Sequence, residues 1–520
     1  MTTASATSQS GGPPPRPPEV VTGVQLMQGV YHVPAKGFWA DAWENVLKRR
    51  GAVAGLVWIG IVAFFACYAP LIANGHPYIL RELGPDGTVV GVSSPLYRYL
   101  TAGDKLLAIG GLAGVVWVFA PLRIPRSTRL LMLVLAGAQA ALTVVLVRLF
   151  AVQMSQPGAG EWLRSLRGGV WTPWLVSGAF ALGAALLFAF VRSTERVTLR
   201  LSVVAAVAAV TTWAAATSWF VPPQVFNYRD REAAGEITAV YAPIPWSPNQ
   251  RDTRLDLVDP GFTRAQGLAG IKNAAALKAK ADHPANAERS PRYILGTDSL
   301  GQDILSQMLH ACRLSISIGL VSTGIAVLIG VTLGALMGYF GGAVDTILFR
   351  VVEVFMAVPV LFLLVVAAGV LPSELRSTYV IMAIIGCFTW TGFARFTRAE
   401  FLKLRNQDFV QSAMAAGLPL RSVMFRHMLP NGVTPVLVDA SFAMASAILF
   451  EAILSYLGLG PPDQASWGRL LSEATTQIGR FVPHLAIAPG AAIFLTVLSF
   501  TLINEALRDA IDPKLKKARV

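Results

Sequence analysis

Ten apolar runs, near 51–72, 103–121, 129–151, 172–192, 200–220, 308–339, 347–371, 378–396, 432–457 and 484–507, limit what this chain can fold into more than any other feature. Runs of about 20 apolar residues are long enough to cross a hydrocarbon layer about 30 Å thick. A backbone in lipid finds no water for its N–H and C=O groups, so such runs read as helices. The expected fold is all-α and integral to a membrane, with about ten transmembrane helices. Composition agrees: apolar residues make up 54% of the chain, charged residues 14%, and mean hydropathy is +0.54, too apolar for a soluble protein. The first run starts too far from residue 1 for a cleaved signal peptide and reads as an anchor that stays.

A formal charge of +13 raises the question of nucleic acid, but its placement answers it. Lys48, Arg49 and Arg50 precede the first run. Arg123, Arg126 and Arg129 lie between runs two and three, and Arg192, Arg196 and Arg200 between four and five. Arg395, Arg398, Lys403, Arg405, Arg421 and Arg426 surround the polar stretch after run eight, and Arg508, Lys514, Lys516, Lys517 and Arg519 follow run ten. If the runs alternate across a bilayer, all these cations share one side, the positive-inside pattern. The reading is a multi-pass protein of the cell (inner, cytoplasmic) membrane with both termini cytoplasmic, its partner surface being lipid and not nucleic acid.

Cys67, Cys312 and Cys387 fall in or beside apolar runs without metal-binding spacing and read as packing residues. The six histidines are scattered, with no HExxH context and no nucleophile motif, so metal, cofactor and enzyme readings find no residues to stand on. No GxxxxGK[ST] occurs, so the chain has no phosphate-binding loop of its own.

The polar intervals divide the chain. Residues 1–50 form a cytoplasmic N-terminal segment whose first 30, rich in Ser, Gly and Pro, are expected to be disordered. A first span at 51–72 is followed by a block of four spans at 103–220. A polar stretch at 221–307, broken by prolines and with one surface helix near 268–282, comes next, and a five-helix part at 308–513 completes the chain. Four is an even number, so the 221–307 stretch falls on the outer side.

Within that last part, a polar loop at about 397–431 ends in residues 409–431, FVQSAMAAGLPLRSVMFRHMLPN. Alanine-rich helical spacing up to Ala416 meets a breaker at Gly417, Leu418 and Pro419, and a second amphipathic piece ends at Leu429 and Pro430. On residue pattern alone this is either a stiff knob suited to passing motion between a soluble machine and membrane helices, or an ordinary loop with a surface helix. It closely resembles the "EAA" coupling loop of ABC importer permeases. Gln411, Ser412 and Ala413 stand where the family has Glu-Ala-Ala, Gly417 is the family glycine, and His427, Met428, Leu429 and Pro430 close the motif.

Further signatures follow the order of the dipeptide/oligopeptide (peptide/nickel) transport family. Residues 295–303, LGTDSLGQD, resemble its LGTDxxGRD, with Gln302 in place of Arg; a capped helix start explains the Thr-Asp equally well. After it, Ile304, Leu305, Met308, Leu309 and Cys312 share one helical face, with Asp303, Ser306, Gln307 and His310 on the other, which predicts a helix lying along the outer surface before span six. Gly330, Gly334 and Gly338 recur every four residues and predict close helix approach. Residues 339–345 resemble the family's GYFGGxxD turn. In span seven Arg350 and Glu353 share a face, and Pro359 predicts a kink. Glu451 opens a stretch resembling E-x-x-LSFLGLG, residues 466–468 match SWG, and 506–513 resemble ALRDxxDP.

The resemblance covers about 295–513 plus span one, roughly half of the chain. It implies a type I ABC importer transmembrane domain and a subunit that forms a translocation path with a second, related permease subunit. It also implies two ABC ATPase subunits that carry ATP and Mg, and an external substrate-binding protein. Gln411, Ser412, Ala413, Ala416, Gly417, Leu420, His427, Leu429 and Pro430 are then the ATPase-coupling residues. Gly334, Gly338, Glu353, Pro359 and Glu451 are candidates for the path or its hinge, although an Arg350–Glu353 neutralising pair and a hydrogen-bonded Glu451 are the plainer structural readings. Di- and oligopeptides are the implied cargo, with nickel chelates, glutathione and peptide antibiotics as alternatives and a membrane scaffold as the reading from another class. Gln411 in place of Glu puts in question any ion pair made there, and the spans at 103–220 have no counterpart in the family pattern, so they read as an inserted block.

Overall fold

The computed structural model describes residues 38–86, 88–121, 124–155, 171–191, 197–219, 227–280, 282–286, 290–462, 464–476 and 482–511. The expected disorder of 1–30, the cations Arg123, Arg192 and Arg196 and the tail beyond 511 lie outside them. Among the described residues eight helices are long and apolar enough to cross a membrane, and two bent helix pairs bring the number to ten.

An amphipathic helix α1, Phe38–Leu47, precedes span α2, Arg50–Ile72. Ala42 and Val46 of α1 pack on Ala506 and Ala510 near the end of the last helix, and Arg49 joins Asp509 at 2.5 Å. Two strands, β1 (Ile79–Leu83) and β2 (Val89–Ser93), and a short helix α3 (Pro95–Tyr99) lead to four helices: α4, Ala102–Phe119; α5, Arg126–Ser155; α6, Thr172–Ala189; and α7, Val197–Thr217. These pack on one another and meet the rest of the chain through α4, which lies on α2, and through Trp213 of α7, which lies beside Tyr97 of α3. Tyr68 Oη of α2 donates to the Ala108 carbonyl at 3.1 Å. Arg129 does more than mark topology. Its guanidinium donates to the carbonyls of Val118 (3.1 Å) and Ala120 (2.6 Å), which the end of α4 leaves without intrahelical partners, and to that of Ile124 (3.0 Å) in the loop beyond.

Strand β3, Ile237–Val240, follows a short helix α8, Tyr228–Ala233, and pairs antiparallel with β1 in a sheet of order β2-β1-β3, which the all-α expectation did not include. Backbone bonds from Tyr78 to Val240 (2.7 Å), Asn74 to Ile244 (3.0 Å) and Ile244 to Ile72 (3.0 Å) bring the chain on either side of the four helices together. The predicted surface helix near 268–282 is instead two short ones, α9 (Arg264–Leu268) and α10 (Ala274–Ala279), because Gly270 turns between them with φ +76°. Trp246, Leu255, Val258 and Tyr293 give the part at 227–303 a small core of its own.

The central helix α11, Ile304–Phe340, is continuous over 37 residues. This corrects the predicted surface helix. At 1.5 Å per residue α11 runs about 55 Å, so its start continues straight out beyond a hydrocarbon layer of about 30 Å. Its polar side there is covered by the 227–303 part: Ser306 and Gln307 are buried, and Ser306 Oγ donates to the Trp246 carbonyl at 2.9 Å. Two broken spans follow. α12 (Gly342–Ala357) and α13 (Val360–Val370) are bent by 81° at Val358 and Pro359, which exceeds the predicted kink because both residues are extended. α14 (Thr378–Phe388) and α15 (Thr391–Arg405) are bent by 43°, a break that the unbroken run at 378–396 did not signal. α16 (Asp408–Ala415), α17 (Leu429–Tyr456), α18 (Trp467–Thr476) and α19 (Pro483–Ile511) complete the chain.

Candidate functional site

The knob at 406–431 is built on the end of α15, which runs to Arg405, so residues 397–405 belong to a membrane helix and not to the loop. α16 ends in a Schellman arrangement: the Gly417 N–H reaches the Met414 carbonyl at 3.0 Å and the Leu418 N–H the Ala413 carbonyl at 3.2 Å. That geometry places Gly417 at φ +71°, where a side chain is strained and glycine is not. Pro419 starts the return, and Leu420–Ser422 leads into a π-helical turn, Val423–Met428, continuous with α17. No break occurs at Pro430. The helical run passes through it from the π-helical turn into α17.

Val410, Ala413, Val423 and Met428 are buried with Ala335, Phe401 and Leu404, which fixes the knob to α11 and α15. Of the predicted coupling residues, Gln411, Ser412, Ala416, Gly417, Leu420 and Pro430 are exposed, and His427 and Leu429 are half-buried. Ala413 is turned inward and lies in this small core. The exposed surface has apolar members that pattern reading left out: Phe409, Leu418 and Phe425, the last 62% exposed. Gln411 is exposed but engaged, its Nε2 donating to the Arg405 carbonyl at 2.9 Å.

A second tie lies beside it. Arg398 on α15 grips Asp345, at the start of α12, through Nε and through Nη2 at 2.7 Å, and stacks its guanidinium 4.6 Å from the Phe349 ring centroid. The turn at 340–345 and the helix that carries the knob are thereby joined.

The path candidates separate on the structure. A Cβ built on Gly330, Gly334 or Gly338 would come within 2.5 Å of Phe393 Cβ, the Ala394 oxygen or Phe401 Cβ, so Gly334 and Gly338 face α15 at backbone distance. Pro359 marks the 81° break. Glu353 pairs with Arg350 at 2.6 Å on an exposed face. Glu451 is buried and accepts from Ser455 Oγ (2.6 Å), in its own helix, and from Ser466 Oγ (2.8 Å), just before α18. It holds the LSYLGLG and SWG stretches together.

At the end of the molecule away from the knob Asp298 accepts from the N–H groups of Leu300 (2.9 Å) and Gln302 (2.8 Å) and from Gln307 Nε2 (2.7 Å). Gln307 Oε1 in turn accepts from Arg469 Nη2 at 3.0 Å, and Arg469 lies 3.8 Å from Glu473. Burial pushes the Glu473 carboxyl up to about 7, helped by the Asp298 charge, and burial raises Asp303 to about 7 as well.

Among the described residues, eight helices long and apolar enough to cross a membrane, or ten if each bent pair is one span, with α11 at the centre, an exposed knob at one end and a folded polar cap at the other, define a multi-pass membrane protein. Residues 330–517 match the family described as "Binding-protein-dependent transport system inner membrane component", and residues 37–85 match "N-terminal TM domain of oligopeptide transport permease C". The four helices α4 to α7 lie between the two matches. A glutathione transport system permease protein of Pectobacterium atrosepticum is 39% identical over 232 residues, 44% of this chain and 76% of the relative. An oligopeptide transport system permease protein of Bacillus subtilis is 36% identical over 235 residues, 45% and 76%. A di/tripeptide transport system permease protein of Pseudomonas aeruginosa is 38% identical over 228 residues, 44% and 74%. The chain belongs to the family of binding-protein-dependent transport permeases, with the type I ABC importer transmembrane domain.

Proposed function

We propose that this chain is one of two related permease subunits of an ATP-driven importer of di- and oligopeptides in the inner membrane, with both termini and the 406–431 knob in the cytoplasm. Two ATPase subunits bind ATP and Mg and engage the knob, and an external substrate-binding protein delivers cargo to the 227–303 side. Closure of the ATPase pair on ATP pulls on the knob, and the path opens alternately to either side because ATP binds the two conformations unequally. The observation that carries this reading is the knob itself. A Schellman-capped helix and a π-helical return are fixed by buried Val410, Ala413, Val423 and Met428 and present Phe409, Leu418, Leu420 and Phe425 outward. Such a body transmits force without deforming, and its exposed apolar residues suit a protein groove.

Pro359 is the hinge candidate we retain, since the 81° break leaves two short helices free to change their angle. Gly334 and Gly338 act as packing surfaces and Glu451 as a clasp. Peptide cargo is supported by the names of the relatives, among which glutathione is itself a small peptide. Reconstitution of the chain with its companion permease, ATPases and binding protein tests the assignment: uptake of a labelled dipeptide that requires ATP and loaded binding protein is expected. Uptake without either component would refute it.

A further inference from the structure

The surface of α12 that the rest of the chain leaves open is divided into two strips. Ile347, Val351 and Val354 are exposed and make an apolar strip. Thr346, Arg350 and Glu353, also exposed, recur at helical spacing beside it and make a polar one. Arg350 and Glu353 bind each other at 2.6 Å. Arg395, exposed on α15, reaches the neighbouring edge of α12. Its Nη1 meets the sulfur of Met356, one turn beyond Glu353, at 3.6 Å. Among the described residues Arg395 has no ion-pair partner. The polar strip and Arg395 together hold two guanidinium groups and one carboxylate, and the unbalanced charge sits on Arg395.

Depth argues against lipid as the cover of these charges. Glu353 lies about 16 Å along α12 from Gly342 at 1.5 Å per residue, near half of a hydrocarbon layer of about 30 Å. Two residues on, the Phe355 ring lies 5.4 Å from that of Trp390, at the bend inside the α14–α15 crossing. Charged side chains at that level are costly against hydrocarbon and turn towards a polar interior or a water-filled cavity. The apolar strip suits lipid or another apolar helix; the polar strip suits a wet path. Arg395 is held in place by Phe393 and Ala394, buried beside it against Val352 of α12. Glu353 is engaged by Arg350 and leaves the Arg395 guanidinium open to an anion. A planar carboxylate matches that fork with two parallel N–H bonds. We propose that Thr346, Arg350, Glu353 and Arg395 line the knob-side half of the translocation path, and that Arg395 receives the C-terminal carboxylate of a peptide in transit. The inference rests on the peptide-importer reading and assigns to it a residue that meets the cargo.

The test uses the assembled importer in lipid nanodiscs, with Cys67, Cys312 and Cys387 replaced and one reporter introduced, Thr346→Cys or Val354→Cys. A water-soluble methanethiosulfonate is expected to label Thr346→Cys about tenfold faster than Val354→Cys, since a thiolate forms in water and not in hydrocarbon. Alanyl-alanine is expected to slow the labelling of Thr346→Cys, and its C-terminal amide to protect about tenfold less well, the loss of one charge-assisted contact. Arg395→Gln in the reporter background should bring the free acid down to the level of the amide, and Arg395→Lys should recover part of the difference. Equal labelling of the two reporters, no protection by alanyl-alanine, or equal protection by acid and amide overturns the proposal. So does an acid–amide difference that survives Arg395→Gln. Should that variant fail to assemble, the acid–amide difference in the reporter protein decides. ATP-driven dipeptide uptake by the unaltered complex in proteoliposomes separates the two readings: uptake without protection removes this inference alone, whereas absent uptake removes the importer reading.

Discussion

The side-chain amide of Gln411 donates from Nε2 to the carbonyl oxygen of Arg405 at 2.9 Å, closing the C-terminal end of α15 from within the knob. A glutamate has no proton to give that carbonyl at neutral pH. The amide at this position therefore serves the knob's own rigidity where an ion pair with a partner had been considered. Gln411→Glu is expected to cost about 1 kcal/mol of local stability. Faster hydrogen exchange at 405–412, with the rest of the chain unchanged, is the measurement; unaltered exchange refutes the role.

Gly417 holds φ +71°, and no side chain or backbone atom lies within 4 Å of a Cβ built there, so its constraint is conformational and not steric. Gly417→Leu should cost about 1–2 kcal/mol, enough for about a tenfold loss of ATPase docking. Asn, which tolerates this conformation, should keep most of it. Stimulation of ATPase activity by loaded binding protein in proteoliposomes is the readout, and equal activity of the Leu and Asn variants would contradict the assignment.

The four-helix block should be removable at its seam. Joining Ser94 to Asn227 by a flexible linker keeps β1, β2 and β3 and is expected to leave a folded, inserted protein. Deletion also removes Asp104, the ion-pair partner of Arg313 on α11. Breaking such a pair typically costs about 3–5 kcal/mol, so the shortened chain should unfold at lower temperature than one that also carries Arg313→Leu. The reverse order of melting temperatures would mean that the pair does not anchor the block.

Glu473 predicts a pH dependence of defined sign. Its folded value is raised to about 7, chiefly by burial. Stability from the protonated carboxyl is therefore full below the ordinary carboxylate range and declines as pH rises through about 7. Melting temperature should fall between about pH 5 and pH 8, and Glu473→Gln should flatten the fall, leaving the share that belongs to Asp303. A wild-type curve that rises across this interval would show the burial argument to be wrong.

Sidedness is checked with single cysteines in a background lacking Cys67, Cys312 and Cys387. Ala275, exposed on α10, should react as Ala275→Cys with an impermeant maleimide on spheroplasts; Ala343→Cys, exposed at the α11–α12 turn, should react only after lysis. Opposite labelling would invert the topology and remove the knob from ATP.

Length and hydropathy made the eight long crossing helices and the two bent pairs legible as apolar runs, since lipid leaves a backbone few alternatives. The glycine stripe of α11 was legible for the same reason, its spacing having one use between close helices. The three strands were not read, although Pro85 and Asp86 stand at a hairpin turn, because β3 is supplied from beyond four helices and pairing across that distance leaves no local period. The bend at Trp390 had no proline to announce it. Ala413 and Gln411 were placed on the partner surface by motif position alone. Which way each points depends on Val410, Val423 and Met428 meeting Phe401, a tertiary contact that a linear pattern does not contain.

The sheet also sets a schedule for biosynthesis. β1 pairs with β3 more than 150 residues further along, so the cap cannot close while the first span alone is in the membrane. At roughly 5–20 residues per second that interval lasts about 8–30 s. Throughout it β1 and β2 are at most a two-stranded ribbon, which is marginal in water by itself, with one edge of β1 open. Four more helices must thread the bilayer before that edge is covered. The newly made chain is therefore most open to misassembly and proteolysis outside the membrane, early, and before any of its central helix α11 exists.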